Sequence, residues 1–134
     1  MLDLGKGRES NLKIDGTIGN TVEFWMKKTE FVTSLTNKEV IFDVDLAENN
    51  PQYGRLTIEM SGGAGYNDSP FYITYMSGAT RGAGFFTASI GKNITTSTVA
   101  DGKWHHYAFT FANESDNLEA KLYIDSNCNH TLTG

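Results

Sequence analysis

Polar and apolar residues alternate with a period of two along most of the chain, and turn-forming residues separate the alternating runs. Thr21-Val22-Glu23-Phe24-Trp25-Met26-Lys27 sets Val22, Phe24 and Met26 on one face and Glu23, Trp25 and Lys27 on the other, the pattern of a strand half-buried against a core. Residues 38–46 place Val40, Phe42, Val44 and Leu46 inward, with Glu39, Ile41, Asp43 and Asp45 outward. Residues 55–60 bury Leu56, Ile58 and Met60 against an outward Arg55, Thr57 and Glu59. Further strands are predicted over 71–76, 83–90, 104–111 and 118–125. The last two flank Asn113-Glu114-Ser115-Asp116-Asn117, a run rich in turn formers, and form a hairpin. Helical spacing is absent almost everywhere, so the expectation is an all-β antiparallel sandwich with no helix.

Composition sharpens that expectation. With 134 residues, 39% of them hydrophobic and 12% aromatic, the chain can fill the core of a single domain spanning 1–134. Eleven Lys and Arg against sixteen Asp and Glu give a net charge of −5, and no basic cluster offsets it, which excludes nucleic acid and an anionic membrane surface as partners. No apolar run is long enough to span a bilayer. Cys128 is the single cysteine. It excludes an intrachain disulfide and reads as a thiol in a polar loop, Ser126-Asn127-Cys128-Asn129-His130. The N-terminus lacks the apolar core of a signal peptide. Asn-X-Ser/Thr at Asn67, Asn93, Asn113 and Asn129 follows from an Asn- and Thr-rich composition. Ser61-Gly62-Gly63-Ala64-Gly65 has no Lys-Ser/Thr after it and is a strand connection rather than a phosphate loop.

Three pieces carry a resemblance to a known family. Thr21 to Lys27, then Asp101-Gly102-Lys103-Trp104-His105-His106-Tyr107-Ala108-Phe109-Thr110, then Lys121-Leu122-Tyr123-Ile124-Asp125 follow the order found in laminin-G-like, concanavalin A-like domains. The resemblance extends to about residue 125, with Leu2-Asp3-Leu4-Gly5 similar to the family's opening strand. It implies a jelly roll of two antiparallel sheets. Relatives continue past an Asp-Gly turn into further strands, whereas this chain has Asp125-Ser126 and ends at Gly134. The domain is therefore expected to lack its last strands, and an uncovered sheet edge is expected to pair with a second copy. The resemblance also implies structural roles for Trp25 and Trp104, which leaves both outside the expected site.

The candidate chemistry centres on Asp43-Val44-Asp45-Leu46-Ala47-Glu48. Alternation puts Asp43 and Asp45 on one face, about 6 to 7 Å apart. Retaining glucanases of the superfamily carry a similar acidic run, and their chemistry needs two carboxyls about 5 to 5.5 Å apart. Asp43 is a methylene shorter than the Glu in the nucleophile position, and Glu48 lies beyond the strand end. A glycoside hydrolase using Asp43, Asp45 and Glu48 is therefore an alternative to a non-enzymatic domain. The same oxygens, with Asn49 and Asn50 beside them, suit calcium, and Asp43, Asp45 and Asn49 are the candidate ligands. Aromatic residues stack on sugar rings. Tyr53 and Tyr72, with Asp43 and Asp45, are the candidate ligand-binding residues. His105 and His106 point to opposite faces of one strand and cannot hold one ion together.

These readings combine into a non-catalytic recognition module that binds a glycan or protein partner through its concave sheet or rim loops. A structural domain of a larger assembly, such as a viral or phage tail or fibre protein, is the other class. The expected setting is extracellular or virion-associated, as part of a longer chain.

Overall fold

A computed structural model describes residues 18–32, 38–45, 54–63, 69–77, 85–114 and 117–134. The elements run β1 (Asn20–Lys27), β2 (Lys38–Asp45), β3 (Gly54–Ser61), β4 (Phe71–Ser77), β5 (Phe85–Ser89), α1 (Thr96–Val99), β6 (Trp104–Glu114), β7 (Asn117–Ile124) and β8 (Asn127–Thr133). The strands form two antiparallel four-stranded sheets, ordered β1-β6-β7-β8 and β2-β3-β4-β5. The two sheets pack face to face, and the protein is an all-β sandwich, as the alternation requires.

The core comes from one face of each sheet. Leu56, Ile58, Met60, Phe71 and Ile73 of the second sheet meet Tyr107, Phe109, Phe111, Ala120 and Leu122 of the first, all buried. Phe71 sits at the centre, with its ring centroid 5.1 Å from that of Tyr107 and 5.6 Å from that of Phe109. Phe24 of β1 stacks on the same two rings from within the first sheet. Offset and edge-on aromatic pairs of this kind add about 0.5–1.5 kcal/mol each beyond area burial.

Three features depart from the sequence reading. The first is a bulge in β2: Val40 pairs with Glu59 and Phe42 with Ile58, so Ile41 is the extra residue. Strand side chains alternate strictly, so one inserted residue reverses every face assignment before it. Phe42 and Val44 pack on the core as expected, together with Ile41. Val40 is turned out and 58% exposed. Glu39 is turned toward the sandwich edge, where its carboxylate accepts from Lys28 Nζ at 2.7 and 2.9 Å, tying the end of β1 to the opposite sheet.

The second departure is β8. Residues 127–130, read as a polar loop, belong to a strand paired with β7, and Cys128 is an exposed strand residue. Asp125 and Ser126 form the two-residue connection, with φ of 48° and 71°, the left-handed pair that a type I′ hairpin turn needs. A second register shift makes Asn129 the extra residue in β8. Its side chain accepts from Lys92 N–H at 2.8 Å and donates to Lys92 O at 3.2 Å. His130 Nδ1 accepts from Gly91 N–H at 3.0 Å. Both side chains fasten the chain leaving β5 to the edge of the first sheet. Gly91 has φ of 133°, and a Cβ there would fall 2.5 Å from Ser69 Oγ, so only glycine fits.

The third departure is the single helical turn α1, where none was expected. Thr95 caps it: its hydroxyl accepts from Thr98 N–H, and Thr98 Oγ1 accepts from Thr95 N–H, a reciprocal capping box. The turn buries Val99.

Candidate functional site

The two outer faces of the sandwich differ in what their side chains leave free. On the β2-β3-β4-β5 sheet, Asp43, Thr57, Thr74 and Thr87 stand in one cross-strand row. Arg55 Nε and Nη2 donate to the two Asp43 oxygens at 2.9 and 2.6 Å, and Thr57 Oγ1 donates to Asp43 Oδ1 at 3.1 Å. Thr74 and Thr87 hydroxyls bond each other at 3.1 Å. Arg55 holds the Asp43 carboxyl below the ordinary aspartate value against the opposing cost of burial, and Thr57 adds a lesser push in the same direction as Arg55. A guanidinium that occupies both oxygens competes directly with a cation for them.

Asp45 lies opposite Arg55 in the register. Tyr72 is on the same outer face in the next row, opposite Glu59. It is only 6% exposed, and the Lys38 ammonium sits 5.7 Å from its ring centroid. Tyr53, Glu48 and Asn49 lie outside the described residues. The structure thus puts Asp43 and Tyr72 on one sheet face, with Asp43 engaged by Arg55 and Tyr72 covered. Among the described residues no three His, Cys, Asp or Glu side chains come together to hold a metal ion. No helix among them is long and apolar enough to cross a membrane.

The outer face of the other sheet carries two exposed indoles. Trp25 is 65% exposed and Trp104 63%. In the β1–β6 ladder Trp25 pairs with His106 and Lys27 with Trp104. The two indoles are therefore diagonal neighbours on one face, with backbones about 7–8 Å apart. The His106 ring packs on Trp25 with centroids 5.2 Å apart, and its Nε2 lies 3.5 Å from Glu23 Oε2. Next along the face comes a row of Glu23, Ala108, Tyr123 and Cys128 across all four strands. Ala108 has the smallest side chain of that row and is 9% exposed, giving a low floor between Glu23 and Tyr123. Lys121 and Glu119 close the far side as an ion pair of 2.6 Å.

The first end of β6, which carries Trp104, is anchored from the opposite face. His105 Nδ1 lies 2.7 Å from Asp125 Oδ2, and its Nε2 lies 3.1 and 3.2 Å from the two Asp101 oxygens. Asp125 Oδ1 also accepts from His106 N–H at 2.9 Å, and Asp101 Oδ1 from Lys103 N–H at 2.9 Å. Gly102 N–H donates to Lys28 O at 2.9 Å, joining this turn to the end of β1. Asp125 and then Asp101 raise His105 above the ordinary histidine value of 6.5. His105 and the His106 amide lower Asp125. The Lys103 amide and then His105 lower Asp101. Tyr107, burying its hydroxyl behind this cluster, is pushed up to about 12, by burial first and by the two carboxylates after it.

Sequence reasoning excluded Trp25 and Trp104 by analogy with the family. Strand alternation, however, had already put Trp25 on the polar face, and Trp104 and His106 together on one face of their strand. That periodicity was the signal for an exposed aromatic pair. Comparison with protein-family models, with curated proteins and with solved structures gives no match in any of the three.

Proposed function

We propose that the protein is a non-catalytic recognition module that binds saccharide on the outer face of the β1-β6-β7-β8 sheet. The observation that carries this reading is the pair of exposed indoles, Trp25 and Trp104, set diagonally on one sheet face. Soluble domains seldom leave two large aromatic rings side by side in water without a partner. Each indole has a charged or titratable side chain directly across the ladder, His106 opposite Trp25 and Lys27 opposite Trp104. The dry, charge-depleted centre of a protein–protein hot spot lacks such neighbours. A sugar ring, with an apolar C–H face and a rim of hydroxyls, uses both kinds of group. Glu23, His106 and Lys27 supply acceptors and donors at the edges of the indoles. The non-catalytic part of the reading is supported by Asp43, the first carboxylate of the hydrolase alternative, whose oxygens are taken by Arg55 and Thr57. The finer assignment to the laminin-G-like, concanavalin A-like class belongs to the same proposal. It rests on the three ordered sequence pieces and on an antiparallel sandwich that accommodates them.

A glycan array tests the proposal, with the unaltered chain beside Trp25→Ala and Trp104→Ala. The expected result is retention of a subset of oligosaccharides by the unaltered chain. Each substitution should weaken binding at least about tenfold, as truncating a binding-centre tryptophan typically does. A blank array from folded protein, or equal binding by the double variant, overturns it.

A further inference from the structure

Behind Trp104, His105 has a carboxylate on each ring nitrogen. A neutral imidazole carries one N–H. If Nδ1 donates to Asp125, then Nε2 turns a lone pair on both oxygens of Asp101, and the other tautomer moves the same conflict to Asp125. Only the protonated ring donates to both. The arrangement therefore depends on one proton that a histidine exchanges near neutral pH. Its three members come from separate segments: Asp101 from the turn before β6, His105 from the second position of β6, and Asp125 from the β7–β8 turn. Trp104 lies between the first two. The Asp101 contacts are longer than the Asp125 contact, 3.1 and 3.2 Å against 2.7 Å, so Asp101 is the member released when the proton leaves.

The other groups around His105 do not replace that proton. On its own strand the Tyr107 ring meets it edge-on at 6.3 Å and stays uncharged to about 12. From β1 its ladder partner is Met26. From the preceding turn, besides Asp101, there is Lys103, whose charge acts on Asp101. From the β7–β8 turn there is Asp125. His106 faces the other way, toward Glu23.

We propose that Asp101, His105 and Asp125 form a proton-operated lock on the binding face. With His105 protonated, the lock holds the turn that leads into Trp104, and so keeps the start of β6 in line with Trp25. With the proton gone, Asp101 loses its contact with His105, the turn loosens and the face binds saccharide more weakly. The effect on binding rests on the saccharide reading above, whereas the lock itself does not.

Two measurements on the whole chain separate the readings: NMR titration of the His105 ring with amide exchange at Gly102 and Lys103, and the glycan array run on either side of that titration. Expected are a His105 midpoint above 6.5, exchange at both amides faster by about two- to fivefold once corrected for the intrinsic pH dependence, and a similar loss of array signal. That range corresponds to a partly exposed ion pair. In Asp101→Asn the amide keeps an oxygen for Lys103 N–H and offers N–H to a neutral ring, so the pH-dependent change in exchange disappears. His105→Gln removes the titration and gives exchange rates that no longer respond to pH. Exchange that behaves as expected over a blank array supports the lock and overturns the saccharide reading. Corrected exchange that is flat with pH in the unaltered chain, or unchanged pH dependence in Asp101→Asn, overturns the lock.

Discussion

Asp43 accepts two hydrogen bonds from Arg55 and one from Thr57, and Thr57 itself is buried beneath them. Asp43 and Arg55 keep 35% and 39% of their side-chain surfaces, so solvent screens the pair, and its worth is at most about 1 kcal/mol. Because Arg55 lowers the Asp43 carboxyl from 3.8, the contribution is present above 3.8 and fades as pH falls through the folded-state value. Arg55→Met is expected to lose up to about 1 kcal/mol at neutral pH. The loss should shrink toward zero once Asp43 is protonated. Urea unfolding of both chains at the two pH values checks this, and an equal loss at both would show that Arg55 acts through packing of its stem instead. The same linkage governs the lock residues. Raised His105 contributes below 6.5 and loses its contribution as pH rises through its folded-state value. Lowered Asp101 and Asp125 contribute above 3.8 and lose theirs as pH falls. The cluster is therefore fully formed between those limits.

At the scale of elements, the β7–β8 hairpin places Ser126 at φ 71°. A left-handed backbone costs a residue with a Cβ roughly 1–2 kcal/mol, and glycine little of it. Glycine's greater freedom in the unfolded chain returns part of that gain. Ser126→Gly is expected to raise stability by about 0.5–1 kcal/mol, seen as a higher urea midpoint with an unchanged slope. A lower midpoint would mean that the serine side chain supports the turn. This hairpin also shows where sequence reading reached its limit. The strands 21–27, 55–60, 71–76, 104–111 and 118–125 were legible because large apolar residues alternate along them. Residues 127–133 have Leu132 as their one large apolar side chain, and backbone pairing with β7 decides their state. The bulge at Ile41 was equally hidden. In Val40-Ile41-Phe42 every residue is apolar, so alternation can be drawn in either phase, and only the partner strand chooses.

At the scale of the whole molecule, the described aromatic residues include a buried set that joins the sheets and an exposed pair of indoles that joins neither. Phe109 is 0% exposed and touches both Phe71 of the opposite sheet and Phe24 of its own. Trp25 and Trp104 keep roughly two thirds of their surfaces in water. The two kinds of aromatic residue should respond to truncation in opposite ways. Phe109→Ala leaves a cavity between sheets that cannot close without moving Phe71 and is expected to cost about 3–5 kcal/mol. Trp25→Ala and Trp104→Ala remove exposed rings and should each change stability by less than about 1 kcal/mol while weakening saccharide binding. Urea unfolding of the three variants, read beside the array, separates stability from recognition. A loss at Trp25 or Trp104 as large as that at Phe109 would make those indoles structural, the role that the family resemblance implied for them. If stability holds while binding falls, the face is kept for a partner and the fold stands without it.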